Sequence, residues 1–286
     1  MRMNQNSIIV VHKEKGLTSF DVVNRIRKIF GIKKVGHTGT LDPMAEGVLI
    51  VCLGQATKIV ELLTAEDKEY IATVKLGIET DTLDLEGTVI KESIVPDDLE
   101  LEKTISSFQN KTYKQEVPIY SAVKVNGKKL YEYARKKEEI TLPKKEVTIK
   151  KIELIKKEKD EFTIRTLVTK GCYIRSLIRD IGVELNIPTT MTSLIRTKQG
   201  KITLEESYTL KEIENGNYKS YSMEEVLNFP TIIVKDELEF KISNGVSIED
   251  KWNINDKVLF KNQDNQLLGI YEKSNQKLKA WKNFAR

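Results

Sequence analysis

The sequence contains very few residues that commonly bind metals or form disulfides. Among its 286 residues are two cysteines and two histidines. Cys52 and Cys172 lie 120 positions apart without metal-ligand spacing, and both have apolar neighbours. We therefore expect buried, reduced thiols, which fit a cytoplasmic location. With only His12 and His37 available besides them, the sequence does not predict a zinc site.

Long apolar segments and nucleotide-binding loops are also missing. No stretch approaches the roughly 18 consecutive apolar residues of a membrane-spanning helix. Residues 1–16 contain no apolar run long enough for a signal peptide. The sequence has no Walker loop and no G-x-G-x-x-G motif that opens a helix after a strand. These absences predict a protein that neither spans a membrane nor draws energy from a nucleotide.

Charged residues, by contrast, are abundant and unevenly distributed. The formal net charge of +5 permits an anionic partner without proving one. Residues 61–102 contain thirteen Asp and Glu against three Lys, whereas residues 124–157 contain twelve Lys and Arg against five Glu. Such separation is typical of a protein with one face for a polyanion and another turned away from it. Solvated surface in both segments is the alternative that composition leaves open.

The most informative segment is residues 36–53, GHTGTLDPMAEGVLIVCL. Its glycines and Pro43 disfavour a helix or strand before Gly47, which places His37 and Asp42 on a loop. The apolar run after Gly47 predicts a buried strand. Asp42 could simply form an Asp-Pro turn, in which the carboxylate bonds its own backbone. A polar loop ahead of a buried strand is, however, a common way for a rigid scaffold to present reactive groups.

The segment before this motif predicts a strand, a turn and a helix. Residues 7–11 predict a short apolar strand. In the following turn we expect Lys13 to bond loop carbonyls, with a surface lysine as the alternative. Thr18 is the predicted N-cap of the helix, with Asp21 in the capping-box position. The helix runs to about Phe30. Its predicted buried face consists of Phe20, Val23, Ile26 and Phe30.

Patterns after the motif predict further strands and helices. Residues 68–76 alternate as a half-buried strand should, with Tyr70 near the start. A proline at the first turn predicts a helix over residues 96–108. Two antiparallel strands are expected over residues 147–154 and 162–168.

Four more segments carry polar residues that a core does not require. The first is an acidic loop, TDTLDLEG, whose spacing does not continue into a calcium-binding loop. The second is a block of mixed basic and aromatic residues, a composition suited to RNA, in which cations meet phosphates and rings stack on unpaired bases. The third places Tyr173 and Arg175 at a strand-to-helix junction. The segments are residues 80–87 (TDTLDLEG), 115–135 (QEVPIYSAVKVNGKKLYEYAR), 170–182 (KGCYIRSLIRDIG) and 194–197 (LIRT).

These segments, together with residues 13–19 and the central motif, resemble the motifs of the TruB family, the bacterial tRNA pseudouridine-55 synthases. The resemblance spans about residues 8–210 and is nearly continuous over residues 36–53. Three positions depart from the family pattern, and the loss of proline at the first of them costs some rigidity of the turn. Glu14 and Val117 stand where the family has proline, and Ile181 replaces a leucine.

The resemblance implies a role for each matched side chain. Asp42 would be the catalytic nucleophile, and Arg175 would orient it and keep it ionised. Tyr70 would stack on the target base and take part in proton transfer. The remaining contacts to RNA would come from His37 as a wedge into the loop, and from Tyr173 and Leu194 at the target base. No metal and no cofactor are implied.

The resemblance also implies an α+β fold with a mixed, mainly antiparallel sheet and flanking helices. The strand count argues against a helix bundle, and the lack of βαβ alternation argues against a doubly wound sheet. We expect a catalytic domain over residues 1–229, with a basic RNA-binding insert at about 124–157. Residues 230–286 would be a small β-rich PUA-like RNA-binding domain with Trp252 and Trp281 in its core.

The expected partner is tRNA, bound through its T-arm stem-loop. We expect a monomer that needs no protein partner. Two alternatives remain open at this point. One is a pseudouridine synthase that acts on another RNA, and the other is a non-catalytic protein that binds or folds tRNA.

Overall fold

The computed structural model describes residues 6–284, in which a ten-stranded sheet, a five-stranded sheet and two small two-stranded sheets are accompanied by short helices. The first fourteen strands are β1 (Ile8–Lys13), β2 (Val35–His37), β3 (Glu46–Leu53), β4 (Lys68–Leu76), β5 (Ile78–Thr80), β6 (Val89–Glu92), β7 (Lys111–Glu116), β8 (Lys124–Val125), β9 (Lys128–Lys129), β10 (Lys144–Lys157), β11 (Glu161–Val168), β12 (Thr189–Gln199), β13 (Ile202–Thr203) and β14 (Ser220–Tyr221). Five more follow: β15 (Thr231–Ile233), β16 (Ile248–Glu249), β17 (Lys257–Lys261), β18 (Leu267–Ser274) and β19 (Lys277–Asn283).

The helices are short, and they lie between these strands. They are α1 (Ser19–Phe30), α2 (Val60–Ala65), α3 (Leu101–Ser107), α4 (Leu130–Lys136), α5 (Ile174–Leu185), α6 (Leu210–Glu214), α7 (Met223–Leu227) and α8 (Asp236–Ser243). Two 3₁₀ turns cover Gly54–Ile59 and Leu204–Glu206. Among the helices of residues 6–284, none is long and apolar enough to cross a membrane.

The larger sheet has ten strands and confirms the predicted fold class. Its main path runs β14-β1-β3-β12-β4-β11-β10-β7, with β2 added beside β3 and β13 beside β12. Within residues 6–284, the pairing of β3 with β12 is the one parallel pairing between strands of this sheet. The fold is therefore α+β with a mixed, mainly antiparallel sheet.

Strand β3 lies inside this sheet and is covered on both faces. Residues 47–53 are all buried, which explains why the run after Gly47 is continuously apolar rather than alternating. One set of its side chains, which includes Leu49 and Val51, packs with helix α1. The other set, which includes Val48 and Ile50, packs in a core shared with residues of the C-terminal sheet. The strand that follows the central motif is thus fixed from both sides.

Helix α1 begins as predicted but buries a different face. Thr18 is the N-cap, and its reciprocal hydrogen bonds with Asp21 complete a capping box. The prediction that Phe20 is buried is wrong, because its side chain is 61% exposed, and Phe30 is only half-buried. At about 100° per residue, Phe20 lies well to one side of the buried stripe. That stripe consists of Ser19, Val22, Val23 and Ile26.

Two other boundaries also differ from the prediction. His37 ends the short strand β2 instead of lying on a loop, because Gly36 is extended and pairs with Cys52. Helix α3 begins at Leu101 rather than Pro96. Its buried residues, Leu101 and Ile105, are one helical turn apart, so the helix starts where its apolar face starts.

The basic segment 124–157 divides into two parts and is not a single insert. Residues 144–157 form β10, which lies within the large sheet between β7 and β11. The hairpin β8–β9 and helix α4 occupy residues 124–136. The backbone nitrogen of Val117 donates to the Pro143 oxygen at 3.0 Å, and this bond closes the base of the segment between β7 and β10.

The second sheet contains five strands in the order β15-β17-β18-β19-β16. Its fully buried aromatic side chains are Phe260 and Tyr271, which meet edge to face at 5.2 Å between ring centroids. Trp252 and Trp281, predicted as core residues, are half-buried at the margin. Trp252 packs edge to face on Phe260 at 5.5 Å.

Candidate active site

A cleft of about 450 Å³ opens between the loop after β2, the start of α5 and strands β4 and β12. Residues from five separate parts of the chain line it. All six side chains predicted for the site are among them: His37, Asp42, Tyr70, Tyr173, Arg175 and Leu194. The fold therefore brings the predicted residues together in one place.

The loop that carries Asp42 is held by contacts on both sides. The hydroxyl of Ser19, at the start of α1, accepts from the backbone nitrogen of Leu41 at 2.9 Å. Lys13, which is fully buried, donates to the backbone oxygen of Ala45 at 2.6 Å. The turn itself closes with a 3.0 Å bond from the Ala45 nitrogen to the Asp42 oxygen. The prediction that Lys13 bonds loop carbonyls is confirmed.

Asp42 is paired with a buried arginine. The Nε of Arg175 lies 3.0 Å from Oδ2 of Asp42, and the Arg175 side chain is 5% exposed. Burial raises the pKa of Asp42, while the positive charge and hydrogen bond of Arg175 oppose that rise. The pair therefore combines a carboxylate that has lost much of its water with a cation that favours its ionised form.

Arg175 holds Asp42 through a single nitrogen and not through two parallel hydrogen bonds. Its Nη1 donates to the backbone oxygen of Thr82 at 2.9 Å, and its Nη2 donates to that of Tyr120 at 3.0 Å. A second carboxylate, that of Asp84, lies 3.7 Å from Nη1. The guanidinium thus joins three separate segments of the chain beside the cleft, and only one of its nitrogens contacts Asp42.

The acidic loop supports this arrangement. Asp84 is buried, and its Oδ1 accepts from the Thr82 hydroxyl at 2.6 Å and from the Glu86 nitrogen at 3.1 Å. Asp81 accepts from the hydroxyl of Tyr120 at 3.2 Å. Among residues 6–284, no three His, Cys, Asp or Glu side chains are grouped so that they could hold a metal ion. The acidic residues of this loop instead order the backbone that Arg175 contacts.

Tyr70 lies in the cleft next to an arginine that sequence reasoning did not single out. Burial raises the pKa of Tyr70, and a hydrogen bond from Arg196 together with its charge opposes the rise. Arg196 is 1% exposed, and it donates from Nε to the Val48 oxygen at 2.7 Å and from Nη2 to the Gly39 oxygen at 3.0 Å. The signal was present in the LIRT segment, but only the fold shows what this arginine contacts.

Close approach of β3 and β12 fixes Arg196. Gly47 pairs with Arg196 in the parallel ladder and has φ +107°. A Cβ at this position would lie 2.3 Å from the Arg196 backbone oxygen. Glycine is therefore required here, because any side chain would push the two strands apart.

The other predicted residues complete the walls. Burial lowers the pKa of His37, which favours the neutral ring, and the Gly39 nitrogen donates to its Nδ1 at 3.3 Å, which favours the tautomer with the proton on Nε2. Leu194 is 5% exposed and presents an apolar surface. Tyr173 occupies the N-cap position of α5, as the predicted strand-to-helix junction required. The cleft thus offers one acid, two arginines, two phenols and an apolar wall.

Comparison with known proteins gives a consistent result. A family model described as TruB family pseudouridylate synthase (N terminal domain) matches residues 27–174. The chain is 42% identical over 273 residues to tRNA pseudouridine synthase B of Caldanaerobacter subterraneus subsp. tengcongensis, covering 94% of this chain and 92% of that protein. It is 43% identical over 259 residues to tRNA pseudouridine synthase B of Bacillus subtilis, covering 85% and 84%.

Solved structures agree on the fold. A chain from a crystal structure of a Cbf5-Nop10-Gar1 complex superposes with a TM-score of 0.72 at 25% identity, covering 98% of this chain and 85% of that one. The family model covers more than half of the sequence, including Asp42 and Tyr70, and the curated relatives extend the match over most of its length. The chain belongs to the TruB family of pseudouridylate synthases.

Proposed function

We propose that this protein is a tRNA pseudouridine-55 synthase, which isomerises the uridine at position 55 in the T-loop of tRNA. The observation that carries the proposal is the pairing of Asp42 with the buried Arg175 inside a cleft lined by Tyr70 and Tyr173. The curated relatives, which are named tRNA pseudouridine synthase B, support tRNA as the substrate.

The reaction is an isomerisation and is redox-neutral. The N1–C1′ bond of the uridine breaks, the base turns, and C5 joins C1′, while C5 loses a proton and N1 carries one in the product. A carboxylate nucleophile divides this difficult change into two easier steps. Asp42 is our candidate for that group. Attack on C1′, attack on C6 and assisted loss of the base are each compatible with a carboxylate in this position.

The target uridine must leave its stack before Asp42 reaches it. Extrusion costs about a few kcal/mol, and it costs least in a loop, which favours the T-loop over a duplex. Tyr70 would support the extruded base, and Tyr173 and Leu194 would enclose it. His37, neutral and half-buried at the rim, would fill the space left in the RNA loop.

A basic and aromatic surface beside the cleft suits the RNA backbone. Ser121 and Ala122 line the cleft, and the hairpin β8–β9 and helix α4 follow directly. In this part, the ring of Tyr131 lies 5.3 Å from the Lys129 nitrogen and 5.2 Å from the Arg135 guanidinium carbon. Cations and rings in this arrangement bind phosphates and unpaired bases. We propose that residues 124–136 contact the T-arm stem-loop.

The domain assignment follows from the same proposal. Residues 1–229 would form the catalytic domain, and residues 230–286 a PUA-like domain that adds a second RNA contact. We propose a cytoplasmic monomer that works without a protein partner. A non-catalytic tRNA-binding protein would have no use for the Asp42–Arg175 pair, so we do not favour that alternative.

One experiment tests the proposal. The purified protein is incubated with unmodified tRNA, with the same tRNA carrying cytidine at position 55, and with a T-arm stem-loop alone. We expect pseudouridine in the first and third RNAs and none in the second. Asp42→Asn keeps the shape of the side chain, and it should bind tRNA but form no pseudouridine. Product at a different uridine, or an Asp42→Asn variant within about tenfold of the wild-type rate, would refute the assignment.

A further inference from the structure

A buried glutamine connects the end of β7 to the first residues of α5. Gln115 is 1% exposed, and its Oε1 accepts a hydrogen bond from the backbone nitrogen of Tyr173 at 2.8 Å. Its Nε2 donates to the hydroxyl oxygen of Tyr113 at 3.0 Å and lies 3.7 Å from the sulfur of Cys172. The chemistry proposed above does not use Gln115, although this residue is the first of the basic and aromatic block at residues 115–135.

The contacts of Tyr113 determine which way the Gln115 amide points. The Tyr113 hydroxyl donates to Oδ2 of Asp180 at 2.9 Å, and two nitrogens of Arg179 hold Oδ1 of that carboxylate at 2.8 and 3.0 Å. Burial, followed by the charge of Asp180, raises the pKa of Tyr113, so the phenol keeps its proton. Its oxygen is then left to accept from Nε2, which turns Oε1 toward Tyr173.

The same end of β7 holds the first turn of α5 at a second point. The hydroxyl of Ser176, which is fully buried, donates to the backbone oxygen of Glu116 at 2.8 Å. Gln115 and Glu116 therefore hold residues 173 and 176, which flank Arg175 along the helix. The N-cap, Tyr173, provides no side-chain capping bond of its own. The start of the helix consequently depends on contacts from β7.

We infer that Gln115 is a positioning residue for the isomerisation, which sets Arg175 against Asp42 by holding the backbone of Tyr173. The inference rests on the proposed function. Without the Gln115 contact, the Tyr173 nitrogen loses its partner and the first turn of α5 gains freedom to move. A displacement of about 1 Å between a catalytic group and the atoms that react can lower a rate on the order of a hundredfold.

The first test compares two glutamines that both bond backbone groups. Gln115→Met keeps the length of the side chain and removes both hydrogen bonds. The matched control is Gln109→Met, because Gln109 bonds the backbone of Lys150 and Ile152 in the same sheet but outside the cleft. We expect Gln115→Met to slow single-turnover pseudouridine formation by at least about tenfold, with tRNA affinity within about threefold of wild type. Gln109→Met should keep the wild-type rate.

The second test asks whether Gln115 acts through Arg175. Gln115→Met is combined with Arg175→Lys, and the rates of the four proteins form a double-mutant cycle. If Gln115 acts by placing the Arg175 guanidinium, its replacement should cost about twofold or less once that guanidinium is gone. An equal loss in both backgrounds would show an independent structural effect and overturn the inference. A wild-type rate for Gln115→Met, or an equal loss in Gln109→Met, would also overturn it.

A further variant covers the case in which Gln115→Met does not fold. Gln115→Glu combined with Asp180→Asn exchanges the amide and the acid on the two sides of Tyr113. The exchanged pair still accepts from the Tyr173 nitrogen, and the Tyr113 hydroxyl can reverse its donor direction. We expect Gln115→Glu alone to be slow and the exchanged pair to recover within about threefold of wild type. A folded but inactive exchanged pair would overturn the inference.

The outcomes separate this inference from the proposed function. Every assay includes the wild-type protein on unmodified tRNA. A wild-type protein that forms no pseudouridine would refute the function itself. An active wild type with an equally active Gln115→Met variant would leave the function intact and refute only the role of Gln115.

Discussion

Arg175 places one nitrogen, Nε, 3.0 Å from Oδ2 of Asp42 and uses the other two to bind backbone oxygens of separate loops. The Arg175 guanidinium therefore connects the loop after β2, the acidic loop and the segment that leads into the hairpin β8–β9. A lysine has a single nitrogen on a flexible stem, so it cannot reproduce contacts that three guanidinium nitrogens make at three separate positions.

Arg175→Lys should accordingly keep the fold and much of the tRNA affinity but lose about a hundredfold in single-turnover rate, because the carboxylate is no longer oriented. Arg175→Ala should be slower still, and it should also melt at a lower temperature, since it leaves Asp42 without a partner. Arg165→Lys, an exposed arginine on β11, is the control. An Arg175→Lys variant as fast as wild type would show that only the charge matters.

The difference in stability between Asp42→Asn and the wild-type protein should depend on pH in a defined direction. Burial raises the pKa of Asp42 in the folded state. A raised pKa means that the contribution of Asp42 to stability is present below the usual Asp pKa and is lost as pH rises through the folded-state value. Near neutral pH, the ionised Asp42 therefore costs stability, and Asp42→Asn should melt at or above the wild-type temperature.

The difference in melting temperature between Asp42→Asn and wild type should shrink as the pH is lowered, because the wild-type carboxylate then becomes neutral like the amide. Melting curves of both proteins across the acidic range measure it. A gap in favour of Asp42→Asn that grows toward low pH would contradict the assigned direction.

Tyr70→Phe separates stacking from proton transfer. The variant keeps the ring and removes the hydroxyl that Arg196 contacts. We propose that the hydroxyl takes part in the proton transfer that follows carbon–carbon bond formation. We therefore expect tRNA affinity close to wild type and a rate that falls by about tenfold or more. Tyr218→Phe, whose ring packs on Phe30 away from the cleft, is the control. Unchanged turnover in Tyr70→Phe would leave this residue with a stacking role only.

The basic hairpin and α4 should give tRNA binding a steep salt dependence. Each phosphate that a lysine or arginine neutralises changes the slope of log affinity against log salt by about 0.7–0.9. Lys129→Ala and Arg135→Ala should each reduce that slope and weaken binding. Lys103→Ala is the matched control, because this exposed lysine of α3 pairs with Glu100, the residue before the helix. Binding that hardly responds to salt would rule out the electrostatic account.

The sequence predicted correctly those features that depend on residues close together in the chain. The capping box of Thr18 and the alternating burial of β4 follow from neighbouring residues, and both are present. The role of Arg196 could not be predicted in this way. Its contacts depend on the parallel pairing of β3 with β12, which joins residues about 150 positions apart, and sequence alone does not reveal such a register. The prediction that Phe20 is buried failed for a similar reason, since the elements that pack against α1 decide which face of this helix is covered.

The core beneath β3 has a consequence for how this protein can be divided. Leu259, Ile270 and Phe284 of the C-terminal part pack in the same core as Val48 and Ile50. Lys58 also donates to the backbone oxygen of Asn283 at 2.6 Å. A chain cut near residue 229 would expose apolar surface directly behind β3, the strand that follows the Asp42 loop. The C-terminal part is therefore not a detachable module. A shortened protein would fold stably only if other residues covered the apolar surface that this part now buries.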